Sequence, residues 1–220
     1  MGARSRPPRR SRLIWVEGKD DSAVIQSLCE KHHVPEVFTV RSKDGVDELL
    51  RMFYTELRAP GVDHFGVVVD ANGNAQARWD SIRHTLEAEG YPDVPERPAP
   101  DGIILPATEH RPVFGAWIMP DNASPGALED FAAALVPVDD WLWSRAGEAV
   151  DALPAEHRRF SDLRRSKAYI HTWLAWQEYP GSPMGQAIGK GDLDAHAPAA
   201  GRFIGWLRRL MLDDPAAENE

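Results

Sequence analysis

The stretch "HFGVVVD", residues 64–70, decides the fold. It is almost continuously apolar, whereas a strand with one face in water alternates apolar and polar residues. A strand buried on both faces is typical of a parallel sheet that carries helices on each side. The stretch also ends in Asp70, so the sequence places a carboxylate at the carboxyl end of a predicted central strand.

Strands and helices alternate on both sides of this stretch. Up to about residue 136 the pattern predicts the order β-α-β-α-β-α-β-β-α, which is typical of an α/β sheet with helices on its faces. The predicted strands are 12–17, 36–40, 64–70, 103–107 and 112–121, and the predicted helices are 20–32, 44–57, 75–89 and one starting at Pro125. Ser124 is the expected N-cap of that last helix. We therefore predict a Rossmann-like, mostly parallel sheet flanked by helices.

The last third of the chain is predicted to be helical and rich in tryptophan. Helices are expected within 139–153, near 162–179 and near 200–212. Aromatic residues at helical spacing predict core positions, and here they are Trp141, Trp143, Trp173, Trp176 and Trp206. The predicted organisation is a disordered basic arm (1–11), an α/β domain (12–136), a helical extension packed on it (137–213) and a disordered tail (214–220).

Composition limits the class of protein. The 220 residues are 43% hydrophobic and 27% charged, which is ordinary for a soluble globular protein. A single cysteine excludes an internal disulfide and fits a reducing cytoplasm. No apolar stretch approaches the roughly 20 residues that span a bilayer, so we expect no membrane segment.

Charge is distributed unevenly. A net charge of −9 argues against nonspecific binding to nucleic acid, where basic surface supplies most of the affinity. The segment "HRRFSDLRRSK" (157–167), however, contains four arginines and a lysine. This segment is either a solvated helix face or a surface that contacts phosphate groups, and the sequence does not decide between the two.

Three apolar strands end in an acid, at Glu17, Asp70 and Asp121. Because the carboxyl ends of parallel strands lie along one edge of a sheet, we expect Glu17 and Asp70 to be neighbours. Asp21, one turn into the first helix, and Glu129, in the first turns of the helix after Asp121, should reach the same edge. A turn or a helix cap explains Asp21, Asp70 or Asp121 taken alone, whereas Glu129 lies about two residues too late for a capping box with Ser124. Together they repel one another unless a cation lies between them, and oxygen ligands without a His or Cys cluster favour Mg²⁺ or Mn²⁺.

Three motifs resemble those of the Toprim domain, which topoisomerases, primases and overcoming-lysogenization-defect (OLD) nucleases share. "VEGKDD" (16–21) is similar to the first, a strand-end Glu followed by Gly and, four residues after the Glu, an acid. "VVVDAN" (67–72) resembles the Asp-x-Asp motif, and "SPGALEDF" (124–131) is similar to the small-x-Leu-Glu segment of the OLD type. The resemblance covers roughly residues 12–136. The layout with a Trp-rich helical tail is also similar to a bacterial family of stand-alone Toprim-related proteins.

The Toprim resemblance implies a metal site and an activity. The implied metal ligands are Glu17, Asp21, Asp70, Asn72 and Glu129. The first three would hold one ion, with Asn72 in the place of the second aspartate, and Glu129 would help hold a second. The resemblance also gives Glu17 a share of the acid–base work and implies a catalytic lysine from beyond the Toprim core, for which Lys167 is the candidate.

The resulting expectation is a Mg²⁺- or Mn²⁺-dependent nuclease that acts on DNA or RNA, alone, as a homo-oligomer or with a partner protein. Asn72 supplies a neutral carbonyl where the motif has a carboxylate. A catalytically degenerate Toprim module with a binding or regulatory role, for example in a phage-defence or toxin-type system, is therefore the alternative. A receiver-like phosphoacceptor ranks third, because "EGK" separates the first strand from Asp20 and Asp21.

Overall fold

The computed structural model describes residues 11–212, which form a mixed α/β fold around one five-stranded sheet. The strands are β1 (Ser11–Val16), β2 (Thr39–Ser42), β3 (Val62–Asp70), β4 (Ile103–Leu105) and β5 (Val113–Met119). Their order across the sheet is β2-β1-β3-β5-β4. Neighbouring strands pair in parallel except β4, which is antiparallel to β5. The predicted mostly parallel α/β sheet is thereby confirmed.

Helices cover both faces of this sheet. They are α1 (Lys19–Lys31), α2 (Val46–Leu57), α3 (Ala75–Ala88), α4 (Leu128–Ala133), α5 (Trp141–Asp151), α6 (Arg165–Leu174), α7 (Met184–Lys190) and α8 (Pro198–Met211). A short 3₁₀ helix, Asp162–Arg164, precedes α6. Buried residues of α2 and α3 form the core on one face, and buried residues of the other helices form the core on the opposite face.

Alternation along the strands supplies both cores. Ile14 and Val16 belong to one core, whereas Leu13 and Trp15 belong to the other. Successive side chains of a strand point to opposite faces, so a continuously apolar strand is needed where helices cover both. This is the physical reason for the apolar run in β3.

The C-terminal helix α8 packs directly on the sheet. A Cβ atom added to Gly115 would lie 2.5 Å from Leu210 Cδ2, and one added to Gly66 would lie 2.8 Å from the same atom. Glycine at both positions therefore permits the close approach of α8. The indole N–H of Trp206 donates a hydrogen bond of 3.0 Å to the carbonyl oxygen of Ile103, which ties α8 to β4.

The predicted start of the fourth helix was wrong. The helix begins at Leu128 rather than Pro125, and its N-cap residue is Ala127. Ser124 does not cap it, because the Ser124 hydroxyl donates to a carboxylate oxygen of Asp121 over 2.9 Å. The turn after β5 therefore uses the residues that the sequence pattern assigned to the helix.

Other boundaries also differ from the prediction. The second strand, predicted at 36–40, lies at Thr39–Ser42. The long helix predicted near 162–179 is divided into the 3₁₀ helix and α6, which ends at Leu174. Helix α7 was not predicted, because its sequence "MGQAIGK" contains two glycines, which have poor helix propensity.

The predicted core tryptophans divide into two groups. Trp173 and Trp206 are fully buried, as predicted, and Trp143 packs edge-to-face on Trp173. The prediction was wrong for Trp141 and Trp176, which are 69% and 42% exposed. A surface helix buries only one face, and these two residues lie on the outer face of their segments.

The predicted basic arm (1–11) and the predicted tail (214–220) lie outside the described residues, except for Ser11. Ser11 is the first residue of β1. The division between an α/β domain and a helical extension at residue 136 stays a prediction. Within the part of the chain that the structure describes, no helix has the length and apolar character needed to cross a membrane.

Candidate functional site

The side chain of Glu17 lies against the backbone of Asp70 at the carboxyl edge of the sheet. Strands β1 and β3 are parallel neighbours in which Val16 is paired with Val68, so both strands end side by side. The backbone N–H of Asp70 donates to Glu17 Oε1 over 2.8 Å. Two acids 53 positions apart in sequence therefore meet at one point of the sheet.

Two helices bring further carboxylates to this edge. Asp21 lies in the first turn of α1, is only 6% exposed, and accepts a 3.0 Å hydrogen bond from the N–H of Gly18 through Oδ2. Glu129 is the second residue of α4 and is 9% exposed. The N–H of Leu128 donates to Asp70 Oδ1 over 3.1 Å, which joins the start of α4 to the end of β3.

These side chains line one cavity of about 580 Å³, which we call the carboxylate cleft. Its charged lining residues are the acids Glu17, Asp20, Asp21, Asp44, Asp70 and Glu129 and the lysines Lys19 and Lys167. Lys167 Nζ lies 2.5 Å from Glu129 Oε1, although the lysine side chain is 52% exposed. Negative charge exceeds positive charge in the cleft, so its acids are only partly compensated.

Burial and crowding raise the pKa of three acids, of which Asp21 is buried and Glu17 and Asp70 are half-buried. Burial raises the pKa of Glu17 to about 7, with repulsion from Asp70 as the second cause. Burial likewise raises the pKa of Asp21 to about 7, and the charges of Glu17 and Glu129 add to the effect. The pKa of Asp70 is also raised to about 7, first by burial and then by repulsion from Asp21 and Glu129. A cation placed among them would relieve this repulsion.

Within the described residues, one buried carboxylate oxygen of the cleft lacks a hydrogen-bond partner. Asp21 Oδ1 is buried and makes no hydrogen bond within residues 11–212. Such an atom costs about 1–3 kcal/mol and is uncommon in folded proteins. No three His, Cys, Asp or Glu side chains in the described range are arranged to bind one metal ion. The all-oxygen donor set fits Mg²⁺ or Mn²⁺, and coordination would require the carboxylates to approach more closely.

Asn72 lies beside the carboxylate cleft rather than in it. The residue is exposed, has a left-handed φ of 50°, and exchanges two backbone hydrogen bonds of 2.7 and 2.8 Å with Gly126. Its side chain lines a second cavity of about 160 Å³ that adjoins the cleft. Of the five proposed metal ligands, Asn72 is therefore the one that does not line the carboxylate cleft.

Asp121, the third strand-end acid, serves the turn after β5. Its carboxylate accepts hydrogen bonds from the N–H groups of Ala123 and Ser124 and from the Ser124 hydroxyl. Although burial opposes the effect, these bonds lower the pKa of Asp121. Asp121 does not line the cleft, and it is not among the metal ligands that the Toprim resemblance implies.

Arg78 on α3 is a cation that the sequence analysis did not single out. Its Nε donates to the carbonyl oxygen of Asp70 over 2.9 Å. Its positive charge partly offsets the burial and repulsion that raise the pKa values of Glu17 and Asp70. Eight residues separate Arg78 from Asp70, and only the turn between β3 and α3 brings them together.

The basic side chains of segment 157–167 have different contacts. Lys167 reaches the carboxylate cleft, while Arg158 and Arg165 each form an ion pair with an aspartate. Arg164 lines the second cavity together with Lys167. The end of this segment therefore borders the acids, and the segment is more than a solvated helix face.

Comparison with other proteins gives a family and one related structure. No curated protein matches the chain. Among solved structures the chain is similar to the C-terminal region of the Xanthomonas campestris pv. campestris OLD protein, with 15% sequence identity and a TM-score of 0.46. That similarity covers 92% of this chain and 96% of the other. Residues 11–212 match the family described as Protein of unknown function (DUF3226). Because this match spans nearly the whole sequence, the chain belongs to the DUF3226 family.

Proposed function

We propose that this protein is a Mg²⁺- or Mn²⁺-dependent phosphodiesterase that cleaves nucleic acid. The observation that carries the proposal is the group of acids around one cleft, in which Asp21 is buried with Oδ1 unpartnered and Glu17 and Asp70 are half-buried. Buried acids crowded in this way destabilise a fold unless a cation compensates them, and such clusters are typical of functional sites. The same three residues occupy the acidic positions of the motifs that resemble Toprim.

The chain restricts the movement of its own candidate ligands. One carboxylate oxygen each of Glu17, Asp21 and Asp70 accepts a hydrogen bond from a backbone N–H group. Each carboxylate keeps a second oxygen for a cation, and Glu129 would help to hold a second ion. A bound divalent ion polarises a phosphoryl oxygen and lowers the pKa of bound water.

Lys167 is the proposed electrostatic catalyst. Its ammonium group contacts Glu129 at the rim of the cleft and is half exposed, so it can also reach a substrate. A fixed positive charge there neutralises negative charge that builds on phosphoryl oxygens as the bond breaks. The acid–base role of Glu17 stays a prediction.

The experiment is a cleavage assay with plasmid DNA and with RNA in the presence of Mn²⁺. We expect the wild-type protein to cleave at least one of them and Glu17→Gln and Asp70→Asn to lose about 100-fold or more of the rate. Glu30→Gln, at an exposed position at the other end of α1, is the control and should retain the activity. Equal rates in all four proteins, or no cleavage by the wild type, would contradict the proposal.

A binding or regulatory module is the second candidate, because Asn72 is neutral and lies outside the cleft. Such a module would bind Mn²⁺ through the same acids without cleaving nucleic acid. Titration of Mn²⁺ by calorimetry, run beside the cleavage assay, separates the two functions. Binding without cleavage assigns the regulatory function, for instance in a phage-defence or toxin-type system.

A further inference from the structure

We propose that Arg164, Ser166 and Lys167 form a phosphate-binding subsite in the second cavity. This cavity, of about 160 Å³, shares Asp70, Glu129 and Lys167 with the carboxylate cleft. Because the subsite adjoins the proposed metal centre, it depends on the proposed function and specifies how the substrate would be held. It assigns a role to Arg164, which has no part in the cleft itself.

Arg164 is exposed, and within residues 11–212 no ion pair or side-chain hydrogen bond accounts for its position at the cavity. Its neighbours Arg158 and Arg165 are paired with Asp162 and Asp151. Arg164, in contrast, has no carboxylate partner among the described residues, yet it lines the cavity. A guanidinium group presents parallel N–H donors that match two phosphate oxygens, so an unpaired arginine at a cavity wall suits a phosphate.

The other two residues complete a wall of hydrogen-bond donors. Ser166 contributes a hydroxyl and Lys167 an ammonium group, and both lie in the first turn of α6. The non-bridging oxygens of a phosphodiester only accept hydrogen bonds, so all three donor side chains complement the same ligand. The positive end of the helix dipole adds to the attraction.

The cavity is large enough for a phosphate group. Its volume is about 160 Å³, and about 10–15 Å³ on this measure already holds one water molecule. A phosphate group, which has five heavy atoms, therefore fits this space. The remainder of the substrate would extend outside the cavity.

The opposite wall makes phosphate binding dependent on a cation. Asp70, Glu129 and Asp130 line the cavity and repel a phosphate while their charges are uncompensated. A divalent ion in the adjoining cleft would remove that repulsion. Phosphate and cation should therefore strengthen each other's binding by the same factor.

The test measures binding rather than cleavage. The probes are a labelled single-stranded oligonucleotide with phosphorothioate linkages, which resist hydrolysis, and inorganic phosphate, both with and without Mn²⁺. In Mn²⁺ we expect Arg164→Ala to weaken oligonucleotide binding about 10- to 100-fold, since charged hydrogen bonds are lost. Arg164→Lys should weaken it less. The control Arg159→Ala, an exposed arginine that does not line the cavity, should change the Kd by less than about threefold.

Calorimetric titration of Mn²⁺ alone separates failure of the subsite from failure of the metal centre. We expect Arg164→Ala to leave the Kd for Mn²⁺ within about twofold of wild type, because this side chain does not line the cleft. Normal Mn²⁺ binding with equal oligonucleotide binding by Arg164→Ala and Arg159→Ala would overturn the subsite alone. Absence of Mn²⁺ binding by the wild type would overturn both proposals. If inorganic phosphate binds as tightly as the oligonucleotide, the subsite takes free phosphate rather than nucleic acid.

Discussion

The substitution Asp21→Asn should stabilise the metal-free protein at alkaline pH. Burial raises the pKa of Asp21 to about 7, whereas the same carboxyl in an unfolded chain has a pKa of about 3.9. Below about pH 4 both states are protonated and the folded state keeps its full stability. As the pH rises to 7, the unfolded chain releases this proton first. The free energy of unfolding then falls by about 1.4 kcal/mol per pH unit, or about 4 kcal/mol in total for this group alone.

Asparagine removes this penalty without removing the structural contact. Its side-chain oxygen can still accept from the N–H of Gly18, as Asp21 Oδ2 does. Its amide N–H₂ replaces the unpartnered Oδ1 and can donate to the neighbouring acids. Because Glu17 and Asp70 still repel each other, we expect a gain of about 2–4 kcal/mol at pH 8. For a chain of this length that corresponds to a rise in Tm of about 5–10 °C.

The assay is thermal denaturation followed by circular dichroism, with a chelator present, from pH 4 to pH 8. The Tm difference between Asp21→Asn and wild type should be near zero at pH 4 and should grow as the pH rises. Asp20→Asn, which removes the same charge from an exposed neighbouring position, should shift Tm by less than about 2 °C. Replacing the chelator with Mn²⁺ should raise the Tm of the wild type more than that of Asp21→Asn. A variant no more stable than wild type at pH 8, or a Tm difference independent of pH, would refute the electrostatic account of the cleft.

Two further substitutions test other parts of the structure. Lys167→Gln should lower the rate of nucleic-acid cleavage about 100-fold, because the ammonium group acts on the charge of the substrate. Calorimetry should still detect Mn²⁺ binding by this variant. An unchanged cleavage rate would remove Lys167 from the mechanism. Gly115→Ala should destabilise the fold by about 1–3 kcal/mol in urea denaturation, since the new Cβ would lie 2.5 Å from Leu210 Cδ2. Gly201→Ala, in α8 with no atom within 4 Å of the added Cβ, is its control and should be neutral or slightly stabilising.

Local sequence predicted those parts of the fold that depend on neighbours along the chain. The apolar run ending in Asp70 predicted a strand covered on both faces, and β3 is that strand. The order of the first nine elements followed in the same way from hydrophobic periodicity. The start of α4 was missed because Ser124 can either cap a helix or bind Asp121 in a turn, and the local pattern is the same for both.

The sequence by itself indicated that Glu17 and Asp70 lie at the carboxyl ends of two apolar strands, because each apolar run ends in an acid. The parallel pairing of those strands and the contacts of the acids with cations depend on tertiary structure, although the motif resemblance already named Lys167 as a candidate. Lys167 reaches Glu129 only because α6 packs on α4, and Arg78 reaches Asp70 only because the turn after β3 reverses the chain. Contacts between segments far apart in sequence depend on how helices pack, and packing leaves no regular period in the sequence that could be read in advance.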